Sequence, residues 1–187
     1  MPMIIWANPK RSRVVVFDNN GSRLFVNVVL SGIDHAILHS RQEVFYLTPQ
    51  IFWLVLCNFR FFQFPIFPMT GGAGNRLVKF LKYCLGSLYR VYLLACLQYM
   101  KPKIVLTMID SSYPFQKISR IYKKALFVAV QNGIRTKDCL KDSLGLWPEK
   151  EKVISMPALV CFGKFEADLY PAYGHVIDRF YPLGSLK

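Results

Sequence analysis

Acidic side chains are scarce in this chain: 11 Asp and Glu stand against 24 Lys and Arg over 187 residues, a formal net charge of +13. A balance that basic points toward phosphate-bearing partners (nucleic acid, an anionic lipid surface or phosphorylated small molecules), although it also serves plain solubility. Paired cysteine motifs are missing as well. The five cysteines, Cys57, Cys84, Cys96, Cys139 and Cys161, are odd in number and contain no CxxC spacing. That disfavours a disulfide framework and fits a reducing cytoplasm. Residues Met1 to Trp6 carry neither the basic start nor the long apolar core of a secretory signal. No internal repeat and no low-complexity tract interrupts the sequence. Nor is any apolar run of spanning length left unbroken. Arg60, Gln63, Pro65 and Pro68 interrupt residues 51–69, and Arg90 and Gln98 interrupt residues 84–100. A central arginine costs about 2.5–3.5 kcal/mol in a bilayer, so both windows read as buried or surface-dipping segments.

What is present is apolar bulk. Hydrophobic residues make up 53% of the chain, aromatics 15%, and the mean hydropathy is +0.26. Such a chain packs a core and does not stay disordered. At this length one substantial domain buries roughly 70% of its unfolded surface.

Short β-branched runs alternate with helix-like segments. Arg13 to Phe17 reads as a first strand, closed by Asp18-Asn19-Asn20-Gly21. Asn20-Gly21 suits a hairpin turn, whereas Leu24, Val28 and Val29 suit a helix face; the two readings exclude one another. Strands are expected at Asp34 to His39 and Val44 to Leu47. Thr48-Pro49 then opens a helix through about Phe59. Residues 68–75 form an internal glycine-rich loop, and a long helix follows from about Asn75 to Met100, stopped by Pro102. Further strands are expected from Lys103 to Ile109, Ala125 to Val130, Leu159 to Gly163 and Ile177 to Leu183. Helices are expected at Pro114 to Tyr122 and Lys164 to Tyr173, and an exposed insertion at 136–153. This alternation predicts a three-layer, Rossmann-like α/β domain with a mostly parallel sheet.

Two of the apolar runs end abruptly in polar residues, Asp110-Ser111-Ser112 and Gln131-Asn132-Gly133-Ile134-Arg135. Parallel strands covered on both faces look like this where their carboxyl ends open onto a ligand. Asp110 suits a general base, or equally the N-cap of the helix that follows. The Gln131–Arg135 stretch suits an amide-and-arginine cradle for phosphate or carboxylate, or else a simple glycine turn. Gly71-Gly72-Ala73-Gly74 precedes a helix without matching the dinucleotide fingerprint; it reads as a phosphate loop or as a flexible turn. Gly163 sits at a tight strand-to-helix turn. His175 lies in a turn before the last strand and is a second candidate for proton transfer. His35 and His39 are four apart with no third ligand near, so no metal site is expected. No base stands at a readable spacing from Ser111, Ser112 or Cys161.

These motifs, taken together, resemble a family. Lys101-Pro102-Lys103 into the strand ending at Asp110, then Val130 to Arg135, Cys161-Phe162-Gly163 with Tyr170, Tyr173-Gly174-His175, and Phe180 to Leu186 are similar to bacterial surface-carbohydrate biosynthesis proteins. Those proteins look like GT-B glycosyltransferases, two Rossmann-like domains facing across a cleft, and are similar in plan to capsule and teichoic-acid polymer transferases. The likeness runs from about Arg13 to Leu186 and is strongest after Lys101. It implies that residues 1–187 are the acceptor-side, N-terminal half of such an enzyme. The C-terminal nucleotide-sugar domain would lie outside the chain and be supplied in cis or in trans. By itself the chain is then not expected to turn over. The resemblance implies catalytic Asp110 and His175, and a substrate-binding set of Asn19, Ser111, Gln131, Asn132, Gly133, Arg135, Gly163, Gly184 and Ser185. It implies no metal and no cofactor, the nucleotide-sugar being the donor substrate. The acceptor would be a lipid-linked molecule or a glycan. The expected setting is the cytoplasm at the inner face of the cell membrane, against an anionic surface. A non-enzymatic nucleic-acid-binding or membrane-surface scaffold is the alternative. Nucleic acid is not favoured, because most aromatics fall in apolar runs such as Phe59 to Phe64 and are not interleaved with Lys and Arg.

Overall fold

The structure, a computed structural model, describes residues 3–18, 23–39, 44–63, 73–110, 112–131, 133 and 153–184. Its contacts divide the chain into two units: Met1–Arg11 with Arg41–Met100, and Ser12–Ser40 with Lys101–Lys187. We call them the helical unit and the sheet unit. In chain order, Met1–Arg11 of the helical unit precedes the sheet unit, and Arg41–Met100 is inserted between the second and third strands of the sheet unit.

The sheet unit holds β2 (Val14–Asp18), α1 (Arg23–Val29), β3 (His35–His39), β5 (Ile104–Thr107), α4 (Tyr113–Ile121), β6 (Leu126–Val130), β7 (Ser155–Cys161), α5 (Lys164–Ala172) and β8 (Val176–Pro182). Six strands lie in the order β3-β2-β5-β6-β7-β8, and every neighbouring pair is parallel. The expected Rossmann-like architecture is therefore present. Register explains the composition of the strands. Val14, Val16, Ile37, Leu106, Val130 and Val160 turn to one face, where Val26 and Leu30 at the end of α1 pack against them. The opposite face carries Phe17 and Phe127, and Phe115 of α4 fits between them at ring distances of 6.0 and 5.2 Å. Helices on both faces cover the central strands, which is why β2, β5 and β6 read as apolar runs, whereas the edge strand β8 is mostly exposed.

Parallel pairing of β2 with β3 through α1 excludes the Asn20-Gly21 hairpin, because a hairpin would make the pair antiparallel. β7 begins four residues earlier than expected. Pro157 looks like a strand breaker, but the ladder with β6 covers only Ala158 to Val160, so the missing N–H lies outside it. β5 ends at Thr107, short of Ile109.

The helical unit contains β1 (Met3–Ile5), β4 (Val44–Tyr46), α2 (Pro49–Cys57), a 3-10 turn at Phe59–Phe61, and α3 (Ala73–Met100). The expected β4 exists, but it pairs in parallel with β1 as a separate two-stranded ribbon. Thr48 caps α2: its Oγ1 accepts from the Ile51 N–H at 3.3 Å and donates to Asn8 at 2.6 Å. Asn58 and Gln98 exchange two amide hydrogen bonds at 2.7 and 2.9 Å, joining the end of α2 to α3. Residues 73–75 of the expected loop belong to α3 instead. That helix ends where Lys101 adopts φ 53 ahead of Pro102. Leu77–Met100 is long and apolar enough to cross a bilayer by length and composition, but half of its most apolar window is buried inside the protein. Residues 64–72 and 134–152 lie outside the described residues, and with them most of the 68–75 loop and of the 136–153 insertion.

Candidate functional site at the carboxyl edge of the sheet

In a doubly wound sheet, ligands sit where successive connections leave a strand pair in opposite directions. Here the first crossover carries the chain from β2 outward to β3, and the chain later returns to β5 on the other side of β2. The switch point is therefore the carboxyl end of the β2/β5 pair. Asp18 closes β2 there, 1% exposed, and its Oδ2 accepts from the Met108 N–H at 3.3 Å just past β5. His39, also buried, is Asp18's register partner on β3. Asp18 did not stand among the candidates from sequence, and His39 was weighed there only as a metal ligand with His35. Asp18 reads locally as the first residue of a turn, and only the pairing of three strands reveals it at the switch point.

Asp110 and Gln131 follow neighbouring parallel strands, so they share this edge. Their surroundings differ. Asp110 is 1% exposed; its Oδ2 accepts from the Tyr170 hydroxyl at 3.0 Å. Its backbone carbonyl accepts from Gln116 Nε2 at 3.4 Å, and Gln116 Oε1 accepts from the Ser155 N–H at 3.3 Å. The carboxylate is thus tied to α5, and its own loop is tied through α4 to β7. Ser112, not Asp110, occupies the N-cap position of α4.

His175 joins the same cluster from below. Gly174, at φ 76, ends α5 in a Schellman turn: its N–H bonds the Pro171 carbonyl at 2.9 Å, and the His175 N–H bonds the Tyr170 carbonyl at 3.1 Å. The imidazole lies 5.7 Å from the Tyr170 ring, and its Nδ1 accepts from the Ile154 N–H at 3.2 Å. Tyr170 therefore touches both expected catalytic residues, in a cluster closed to solvent. Gln116 and the bridging role of Tyr170 carry no sequence signal, since the Asp110–Tyr170 contact spans 60 residues.

Gln131 is 3% exposed. Its backbone N–H continues the ladder to Val160, and its Nε2 donates to the Gly133 carbonyl at 2.8 Å. Its Oε1 is buried without a hydrogen-bond partner. A buried amide oxygen left unpaired is destabilising by roughly 1–3 kcal/mol unless something donates to it. A Cβ at Gly133 would meet nothing within 4 Å, so close approach does not require glycine there.

Gly163 has an extended backbone, φ −170, that any residue adopts, and Glu166 Oε2 lies 3.6 Å from where its Cβ would be. The buried Glu166 carboxylate thus already complements the N-terminus of α5, leaving it a poor anion site. Burial pushes the Cys161 thiol above its ordinary pKa; backbone hydrogen bonding at Gly163 opposes this in part, and the Glu166 charge adds a smaller upward push. A thiol held neutral is a weak nucleophile. Gly184 has φ 84 just beyond β8, a left-handed turn that itself favours glycine. Asn19, Ser111, Asn132, Arg135 and Ser185 lie outside the described residues. Among the described residues no group of three or more His, Cys, Asp or Glu is placed to hold a metal ion. No protein-family model, curated protein or solved structure matches the chain.

Proposed function

We propose that this chain is the acceptor-side half of a glycosyltransferase of surface-polysaccharide biosynthesis, working at the cytoplasmic face of a membrane. The complete enzyme would move a sugar from a nucleotide-sugar to a lipid-linked or glycan acceptor, with the donor held by a further domain in cis or in trans. One observation carries the reading beyond resemblance: the unpaired Gln131 Oε1 at the carboxyl edge, beside the strand that delivers Asp110. A buried acceptor atom at that edge suits a donor group such as a sugar hydroxyl. Asp110 is the proposed base for the acceptor hydroxyl, which requires the Tyr170 hydroxyl to give way when substrate enters. His175 serves the cluster by seating Tyr170.

The test is sugar transfer from labelled nucleotide-sugars to a membrane lipid extract by the longest open frame containing this chain. Asp110→Ala should lower the rate by about 10²–10⁴-fold. Tyr170→Phe, which removes the same hydrogen bond but leaves the carboxylate, should retain transfer. No transfer in any frame, or equal rates for Asp110→Ala and the parent, overturns the reading. A second reading, a membrane-surface scaffold without activity, draws on the exposed Phe52, Trp53 and Leu56 of α2. Vesicle binding without transfer would select it.

A further inference from the structure

The helical unit contains an open pocket of about 790 Å³, within the range of small-molecule sites. Phe45, Tyr89 and Tyr92 form its inner wall, with ring distances of 5.4 to 5.8 Å. Trp6, Phe52, Leu85 and Leu88 line it while remaining 41–79% exposed, so they form its mouth. Two polar groups of the lining are already engaged: Tyr92 Oη accepts from the Tyr46 N–H at 2.6 Å, and Thr48 Oγ1 is shared between Asn8 and Ile51. Burial pushes the Tyr92 hydroxyl far above its ordinary pKa, so that wall stays uncharged. An occupant must therefore be held by apolar contact.

Beyond the mouth the apolar stripe continues along α3. Val78 and Leu81 precede Leu85 and Leu88 at helical spacing, and all four are exposed. Lys82 stands at the edge of this stripe, and Lys79 lies one turn before Lys82 and further round the helix; both are exposed. Charge in the helical unit is one-sided: eight Lys and Arg stand against a single acid, Glu43, a net of +7. Apolar tail and anionic head are thus matched at successive positions of one helix.

We propose that this pocket takes one hydrocarbon chain of a phosphate-headed lipid, with the head at Lys79 and Lys82. The proposal stands on the helical unit alone and does not need the sugar-transfer reading.

The test uses the full chain and monoalkyl phosphates of increasing length, each below its micelle concentration, followed by the shift of tryptophan emission and by calorimetry. Affinity should rise about fourfold per added methylene and level off once the pocket is full. Phe52→Ser and Leu85→Ser, at exposed rim positions whose loss leaves the fold intact, should weaken binding and shift that plateau. Lys79→Glu and Lys82→Glu should each weaken it about fivefold at low salt and little at high salt. Binding of inorganic phosphate as tight as that of the alkyl phosphates overturns the proposal. So does affinity independent of chain length, equal binding of a neutral alkyl glycoside at low salt, or a self-associated chain whose pocket residues are covered by a second copy.

Discussion

The two units differ in where they put their largest aromatic side chains. In the sheet unit, Phe17, Phe115, Phe127 and Tyr170 are enclosed between parallel strands and helices, each under 2% exposed. In the helical unit, Trp6, Phe52, Trp53, Leu77 and Leu85 stand 56–79% exposed. Charge divides in the same direction. The sheet unit carries sixteen Lys and Arg against ten acids, a net of +6 over 116 residues, whereas the helical unit reaches +7 over only 71. A closed apolar core with mixed surface charge is what a water-facing domain builds. An open apolar surface with nearly unopposed cations is what the proposed lipid contact requires. The net charge is thus divided almost evenly between the units, but it is denser and less opposed by acids in the helical unit.

Truncating one phenylalanine in each unit should separate the two most strongly. Phe115→Ala opens a hole between Phe17 and Phe127 and should destabilise the sheet unit by about 3–5 kcal/mol. Phe52→Ala, at 65% exposure, should change stability by less than about 0.5 kcal/mol. Urea unfolding of both variants gives the contrast directly, and equal losses would erase it. Next in size, Tyr170→Phe deprives the buried Asp110 carboxylate of its hydroxyl donor and should cost about 1.5–3 kcal/mol in the same assay. An unchanged midpoint would mean that the Asp110–Tyr170 bridge contributes nothing to the sheet unit.

The smallest effect concerns alkali and the helical unit. Burial pushes the Cys96 thiol from its ordinary 9.0 up to about 12, partly offset by its hydrogen bond with Tyr92. A group whose folded pKa is raised favours the folded state fully below its unfolded pKa. That contribution is lost as pH rises from about 9 toward about 12. Stability should therefore fall above pH 9, with Cys96 supplying a slope of at most about 1.4 kcal/mol per pH unit. Cys96→Ala should flatten that slope between pH 8 and pH 10. An identical slope in the variant would place the alkaline sensitivity elsewhere.

Much of the sheet unit was legible because its strands are covered on both faces. Val14 to Phe17, Val105 and Phe127 to Val130 had to be apolar without alternation, and polar residues such as Gln131 mark where the strands give way to the carboxyl edge. Local pattern fails where the deciding contact is distant. Asp18 is a turn residue until β5 is laid beside β2, and Asp110 looks like a helix cap until Tyr170, 60 positions later, reaches it. β1 escaped notice because three residues that are mostly exposed leave no periodicity to read. The pocket was invisible for a related reason. Its walls come from Trp6, the end of β4, α2 and α3, and no spacing in the chain announces their meeting.

Tryptophan emission tests the division between the units most directly. Trp6 and Trp53 lie exposed in the helical unit, and the chain's third tryptophan, Trp147, can be removed as Trp147→Phe. On vesicles rich in anionic lipid, that variant should show a blue shift of its emission and quenching by brominated acyl chains, both weakening as salt rises. Emission that stays at its aqueous wavelength, unquenched at low salt, would contradict a lipid-facing helical unit.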